Sequence, residues 1–202
     1  VRLHDPYRRS EVKLGGSTVP LAGNFTSGYG LWLARSNFST EALRPLLGKS
    51  AGLGKPQIHL MQPYDPNRRL IVMLHGLASS PEAWINVANE VLGDEQLRRN
   101  FQIWQVYYPT NAPIVLNNYT IRQALQQTLR HFDPQGMALA SRDITLVGHS
   151  MGGVLARMMV SRTQGKMVDA VAMELELPAK ARQQLQGELA SVLEFSPVPN
   201  VH

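Results

Sequence analysis

Cysteine is absent from the 202 residues, which removes disulfides, cysteine-based metal sites and thiol nucleophiles together. That absence does not choose between the cytosol and an exported location. Long apolar runs are missing as well. Stretches such as Leu70–Leu74 fall far short of the ~20 residues of a membrane-spanning helix, so no integral membrane segment is expected. Clustered charge is also lacking: 20 Lys plus Arg against 15 Asp plus Glu give a net +5. The basic residues come as scattered pairs (Arg8-Arg9, Arg68-Arg69, Arg98-Arg99), with no long basic run and no basic helical stripe. Solvated surface accounts for them, and no nucleic-acid partner is expected. No signal-peptide pattern opens the chain, and it begins with Val1 rather than Met, which suits a processed protein or an excised segment. A hydrophobic content of 44% with 17% charged residues excludes bulk disorder.

Residues 1–66 differ in texture from the rest and hold half of the 16 glycines. A short strand around Ser17–Leu21 and an apolar segment Tyr29–Leu33 stand out, and Gln62–Asn67, with two prolines flanking Tyr64-Asp65, has turn chemistry. This region reads as an N-terminal extension lying against a main body, residues 67–202. From Arg69 onward strands and helices alternate. Leu70-Ile71-Val72-Met73-Leu74 is continuous and apolar, as a strand buried on both faces is. Ser80-Pro81-Glu82 supplies an N-cap, an N1 proline and a first-turn acid. Trp84, Val87, Ala88, Val91 and Leu92 then fall on one helical face, which Gly93 ends. Phe101–Tyr107 reads as a second strand, Tyr119–Phe132 as a second helix, Ile144–Val147 as a third strand and Ser150–Arg162 as a third helix. The alternation predicts an α/β fold, a mostly parallel sheet with helices on both faces.

The chemistry concentrates at Gly148-His149-Ser150-Met151-Gly152-Gly153, between the strand Asp143–Val147 and a helix with the stripe Val154, Leu155, Met158 and Met159. A G-x-S-x-G turn of this kind is sharp, and it needs small residues on both sides of the serine. It lifts the hydroxyl out of the sheet's C-terminal edge and aims a helix N-terminus at the same place. The motif alone is a weak signal; its strand-to-helix context makes it informative. A second turn, His75-Gly76-Leu77, closes the strand at Leu74. Acyl transfer through a serine needs two backbone N–H donors for the tetrahedral oxyanion, one after the nucleophile (Met151) and one from the loop after an earlier strand (Leu77).

These pieces, RLIVMLHGLASSPEAW (Arg69–Trp84), WQVYYPT (Trp104–Thr110) and DITLVGHSMGGVLARMMV (Asp143–Val160), resemble the α/β-hydrolase superfamily in its bacterial lipase and esterase branch. The similarity extends from Arg69 to Thr163. It implies that Ser150 is the nucleophile and that Leu77 and Met151 form the oxyanion hole. It makes His75, Gly76, Gly148 and Gly152 supporting turn residues, and neither His75 nor His149 the base. A carboxylic ester hydrolase acting on a small-molecule or lipid ester is expected, with no metal and no organic cofactor. Acyl transfer with the same nucleophile, or a hydrolase-fold binding protein without its triad, are the alternatives.

The superfamily places an Asp or Glu and then a His after the nucleophile. Downstream of Ser150 stand Asp169, Glu174, Glu176, Glu188 and Glu194, and the only histidine is the terminal His202. His131 lies upstream at a helix end and suits a solvated or capping role. Phe195–Val201 reads as the approach to a further strand. The expectation is therefore a partial α/β-hydrolase fold whose base and acid lie beyond residue 202, with the remainder of the protein as a separate segment among the options. Residues 164–197 exceed a plain crossover. Met167–Leu177 alternates apolar residues, and Pro178–Leu193 reads as one helix aligning Leu185, Leu189 and Leu193. A lid over an apolar acyl pocket and a surface excursion packing its leucines inward fit it equally.

Overall fold

The computed structural model describes residues 2, 4–21, 23–36 and 54–202. Val1, Leu3, Ala22, residues 37–53 and the side chains of Leu185 and of Glu188, one of the downstream acids, lie outside the described set. In the first part of the chain, β1 (Glu11–Leu14) and β2 (Ser17–Pro20) form an antiparallel hairpin. Gly15 and Gly16 supply its two left-handed positions, with φ of 54° and 88°. Helix α1 (Ser27–Ser36) carries the apolar Tyr29–Leu33 segment and buries Leu33.

The main sheet has four strands: β3 (Gln57–Leu60), β4 (Arg69–Leu74), β5 (Phe101–Tyr107) and β6 (Ile144–Gly148), in the order β3-β5-β4-β6. β4 pairs in parallel with β5 and β6, and β3 pairs antiparallel with β5. β3 was not anticipated: residues 57–60, read as part of the extension, are the sheet's edge strand. Alternation along β4 sends its side chains to two separate cores. Leu70, Val72 and Leu74 join Trp104, Val106 and Tyr108 on one face, under Ile121, Leu125, Leu155 and Met159. Ile71 and Met73 join Ile103 on the other, under Trp84, Ala88 and Leu92. Each fully buried Leu or Ile contributes roughly 1.5–3 kcal/mol.

The helices distribute accordingly. A 3-10 turn (Pro81–Trp84) leads into α2 (Ile85–Gly93), and Asp94 caps α3 (Glu95–Asn100) by accepting from the Leu97 N–H at 2.8 Å. The other face carries α4 (Ile114–Phe132) and α6 (Met151–Met159), with the single turn α5 (Leu139–Arg142) between them. Several sequence expectations shift here. Ser80 precedes the 3-10 turn without a side-chain cap. Val87 is exposed rather than facing the core, as is Val154 on α6. α4 starts at Ile114 rather than Tyr119, because the Asn117 side chain donates to the carbonyls of Pro109 (2.9 Å) and Ala112 (3.4 Å) and secures its first turn. α6 stops at Met159, short of Arg162.

Residues 164–197 form α7 (Lys166–Glu174), α8 (Ala179–Glu188) and α9 (Ala190–Leu193). The apolar alternation of Met167–Leu177 is not a strand: Val168 and Ala172, four apart, are the buried helical pair, and Met173 and Leu175 are exposed. The expected single helix breaks at Leu189 (φ −109°, ψ 8°), so Leu193 is buried while Leu189 is not. α9 packs against α4. Beyond it the chain returns to the sheet, where Val201 forms a parallel bridge with Ile144 and the Leu146 N–H donates to the His202 carbonyl at 3.3 Å. Among the described residues, no helix is long and apolar enough to cross a membrane.

Candidate active site

Strand order determines where a site can form. From β4 the chain crosses one face to β5, then crosses the opposite face to β6, so β4 and β6 are neighbours whose C-terminal loops leave in opposite directions. Open α/β sheets bind ligands in the crevice at such a point. The two turns singled out in the sequence, His75-Gly76-Leu77 and Gly148 to Met151, are the loops that leave β4 and β6 there.

Ser150 sits between β6 and α6 with φ 54° and ψ −121°. This is a left-handed conformation that costs an L residue about 1–3 kcal/mol and persists only where neighbours impose it. The neighbours are close. The His149 N–H donates to Leu74 O at 3.1 Å, the Gly152 N–H to His149 O at 2.9 Å and the Gly153 N–H to Ser150 O at 2.9 Å. A Cβ on Gly148 would lie 2.6 Å from the Gly153 nitrogen, and one on Gly152 would lie 2.6 Å from the His75 carbonyl oxygen. Real atoms do not approach so closely, so helix and strands meet backbone to backbone. Ser150 is exposed, and its hydroxyl makes no hydrogen bond among the described residues. Met151, the first residue of α6, has an N–H without a partner inside the helix.

The opposing turn is anchored by its histidine. His75 is fully buried, stacked on Tyr108 with centroids 4.3 Å apart. Its Nδ1 donates to the Gly76 carbonyl at 3.0 Å, and its Nε2 accepts from the Tyr108 N–H at 3.4 Å. Those partners assign the neutral Nδ1–H tautomer. The Tyr108 hydroxyl in turn donates to the His75 carbonyl. Because a trans peptide points its C=O and N–H in opposite directions, the Gly76 carbonyl turned toward the imidazole directs the Leu77 N–H away from it. Leu77 itself is 59% exposed. On the crevice side, an ideal Cβ on Gly76 would lie 3.0 Å from His149 Nδ1 and 3.2 Å from Ser150 Cβ. The two turns therefore touch, with Gly76 leaving room for Ser150.

Burial pushes the His75 pKa down to about 4, against a smaller raising effect of its bond to Gly76. The unfolded chain then binds more protons than the native one between about pH 6.5 and pH 4. Stability from this group is present above pH 6.5 and is lost as pH falls to about 4, by about 3 kcal/mol in all. Denaturant unfolding at pH 7 and pH 4.5 checks this. A His75→Asn variant should show a shallower loss on acidification, and parallel pH dependences would refute the assignment.

The other candidate bases are elsewhere. His131 ends α4, whose N-terminus follows β5 at the site edge, so it stands toward the opposite edge. His202 lies beside Ile144 and Leu146, roughly 10 Å along the strand direction short of Gly148 at about 3.3 Å per residue. Among the downstream acids, Asp169 is paired with Arg182, and Glu194 accepts from Thr163 Oγ1 (3.0 Å) and the Gly165 N–H (2.9 Å). Among the described residues, no group of three or more His, Asp or Glu could hold a metal ion. What the sequence reading missed is the loop after β5. Tyr108 and Thr110 reach the 75–78 turn only because β4 and β5 pair in parallel, with Leu74 beside Val106, and no local motif announces that.

A family profile described as "Putative serine esterase (DUF676)" matches residues 65–186. No curated protein matches the chain. Among solved structures, the propeptide form of the Bacillus licheniformis lipase BlEst2 is 19% identical, with a TM-score of 0.36, covering 55% of this chain and 23% of that one. The mature form is 17% identical at TM-score 0.35, covering 74% and 60%. The Pyrococcus furiosus esterase Pf2001 is 16% identical at TM-score 0.35, covering 65% and 56%. The chain thus spans between about a quarter and three fifths of the length of these structures.

Proposed function

The chain belongs to the DUF676 family, and we propose on that premise that it is a serine ester hydrolase working through an acyl-enzyme on Ser150. The observation that carries the reading is the placement of one exposed serine. It is held left-handed at the start of α6, with the His75-Gly76-Leu77 turn against its Cβ. In this reading Ser150 Oγ attacks the ester carbonyl carbon while a histidine base takes its proton. The carbonyl oxygen becomes an oxyanion that accepts from the Leu77 and Met151 N–H groups. The C–O bond then breaks, the alcohol leaves with the proton from the imidazolium, and water releases the acid by the same path reversed.

His75 cannot serve as the base, since both ring nitrogens are occupied and the ring is buried. His131 and His202 stand away from Ser150, and the resemblance makes His149, the variable residue of the turn itself, no base either, so in this proposal the base and its acid belong to residues other than these. Residues 164–197, with Met173 and Leu175 exposed, enter the proposal as a lid over an apolar acyl group. Acyl transfer to another alcohol or an amine uses the same parts and differs only in what attacks the acyl-enzyme.

The test uses the full-length protein. A fluorophosphonate probe should label Ser150, as mapped by peptide mass spectrometry, and p-nitrophenyl ester turnover should vanish in Ser150→Ala. Absence of labelling, or turnover that survives the substitution, refutes the reading and leaves a binding protein on a hydrolase fold.

A further inference from the structure

The order β5-β4-β6 sets three C-terminal loops side by side: 108–110, 75–78 and 148–151. The middle one is gripped from both flanks. On one flank Gly76 lies against His149 and Ser150. On the other, Tyr108 holds His75 through its amide and its hydroxyl, and Thr110 Oγ1 accepts from the Ala78 N–H at 3.3 Å. Ala78 is one of the few non-glycine residues here with positive φ, at 52°. An L residue leaves that conformation unless something holds it.

We propose that Thr110 is a positioning residue for the proposed ester chemistry, its hydroxyl fixing the Ala78 amide and thereby the direction of the Leu77 amide beside Ser150. The inference rests on the serine hydrolase reading and deepens it. Two consecutive peptide planes define the turn. The plane carrying the Gly76 carbonyl and the Leu77 N–H is held at its oxygen by one bond from His75, about which it can still pivot. The next plane, carrying the Leu77 carbonyl and the Ala78 N–H, is set by Thr110. Leu77 lies between them with an exposed side chain that makes no comparable anchor. With the second plane released, Ala78 relaxes toward negative φ, the Leu77 backbone turns with it, and its N–H loses aim. A preorganised donor matters more in the transition state than in the ground state, so the loss falls on kcat rather than on KM.

The experiment compares Thr110→Val, which keeps the shape and removes the acceptor, with Thr110→Ser, which keeps it. Thr110→Val should lower kcat for a p-nitrophenyl ester about 10- to 100-fold, below the loss from deleting an oxyanion donor outright. KM should stay within about twofold, and affinity for a trifluoromethyl ketone, which forms a tetrahedral adduct on serine, should fall by a factor similar to that in kcat. Thr110→Ser should restore kcat to within about threefold of wild type. Unchanged kcat in Thr110→Val, or a loss that Thr110→Ser fails to restore, overturns the role. A loss expressed in KM alone overturns it too. Fluorophosphonate labelling of wild-type Ser150 separates the two levels. A labelled wild type with an unaffected Thr110→Val defeats only the role of Thr110, whereas an unlabelled wild type defeats the hydrolase reading and this inference with it.

Discussion

Ser150→Gly is expected to abolish ester turnover while raising the thermal unfolding midpoint. The first half follows from removing the proposed nucleophile, which in serine hydrolases costs on the order of 10⁶-fold in kcat. The second follows from the backbone. At φ 54° and ψ −121° Ser150 carries about 1–3 kcal/mol of strain that glycine does not, offset by about 0.5–1 kcal/mol of extra chain entropy in unfolded glycine. A net gain of about 1 kcal/mol is a rise of roughly 2–4 °C for a chain of this size. Ser150→Ala separates the two effects, since alanine removes the hydroxyl and keeps the strain. It should lose turnover to the same extent with an unchanged midpoint. Equal midpoints for the glycine and alanine variants, measured by calorimetry, would show that no strain is stored at this position.

Much of this arrangement is written locally in the sequence, and what is not has identifiable causes. The apolar run Leu70–Leu74 forms a doubly buried strand because each successive residue has a core to enter. Gly148, Ser150 and Gly152 announce their turn because only that spacing lets α6 start against β4 and β6. β3 escaped notice because Gln57–Leu60 is a short edge strand of mixed polarity, and its identity comes from pairing with β5 more than forty residues later. α3, EQLRRN, has a single apolar residue, and only its Asp94 cap signals it. The break at Leu189 and the reversal of Met167–Leu177 from alternation to helix were decided by tertiary packing, of α9 on α4 and of Val168 and Ala172 into the interior. At the site, the glycines were legible and the clamp was not. Tyr108 and Thr110 lie some thirty residues from the turn they hold.

The glycines on either side of one peptide bond should respond in opposite ways to the same substitution. Gly152 and Gly153 both lie in the first turn of α6, and a sequence comparison would treat them as a pair. Their surroundings differ. A Cβ on Gly152 would run into the backbone where β4 ends, 2.6 Å from the His75 carbonyl oxygen. The atom there is main chain in the sheet's central region and cannot swing aside. Helix α6 must lift away, and overpacking of this kind costs about 3 kcal/mol or more. The displacement also separates Ser150 from the 75–78 turn, and an error of about 1 Å between reacting groups costs about 10²-fold in rate. A Cβ on Gly153 meets nothing nearer than the Gly148 carbonyl oxygen at 3.5 Å, an ordinary contact. There alanine contributes about 0.5–1 kcal/mol through helix propensity. Gly152→Ala should therefore unfold roughly 10 °C below Gly153→Ala and lose nearly all turnover, while Gly153→Ala stays at or above wild type in stability. Thermal melts of the two variants beside wild type decide the matter. A destabilised Gly153→Ala, or a Gly152→Ala as stable as wild type, would mean that α6 does not rest on β4 backbone to backbone.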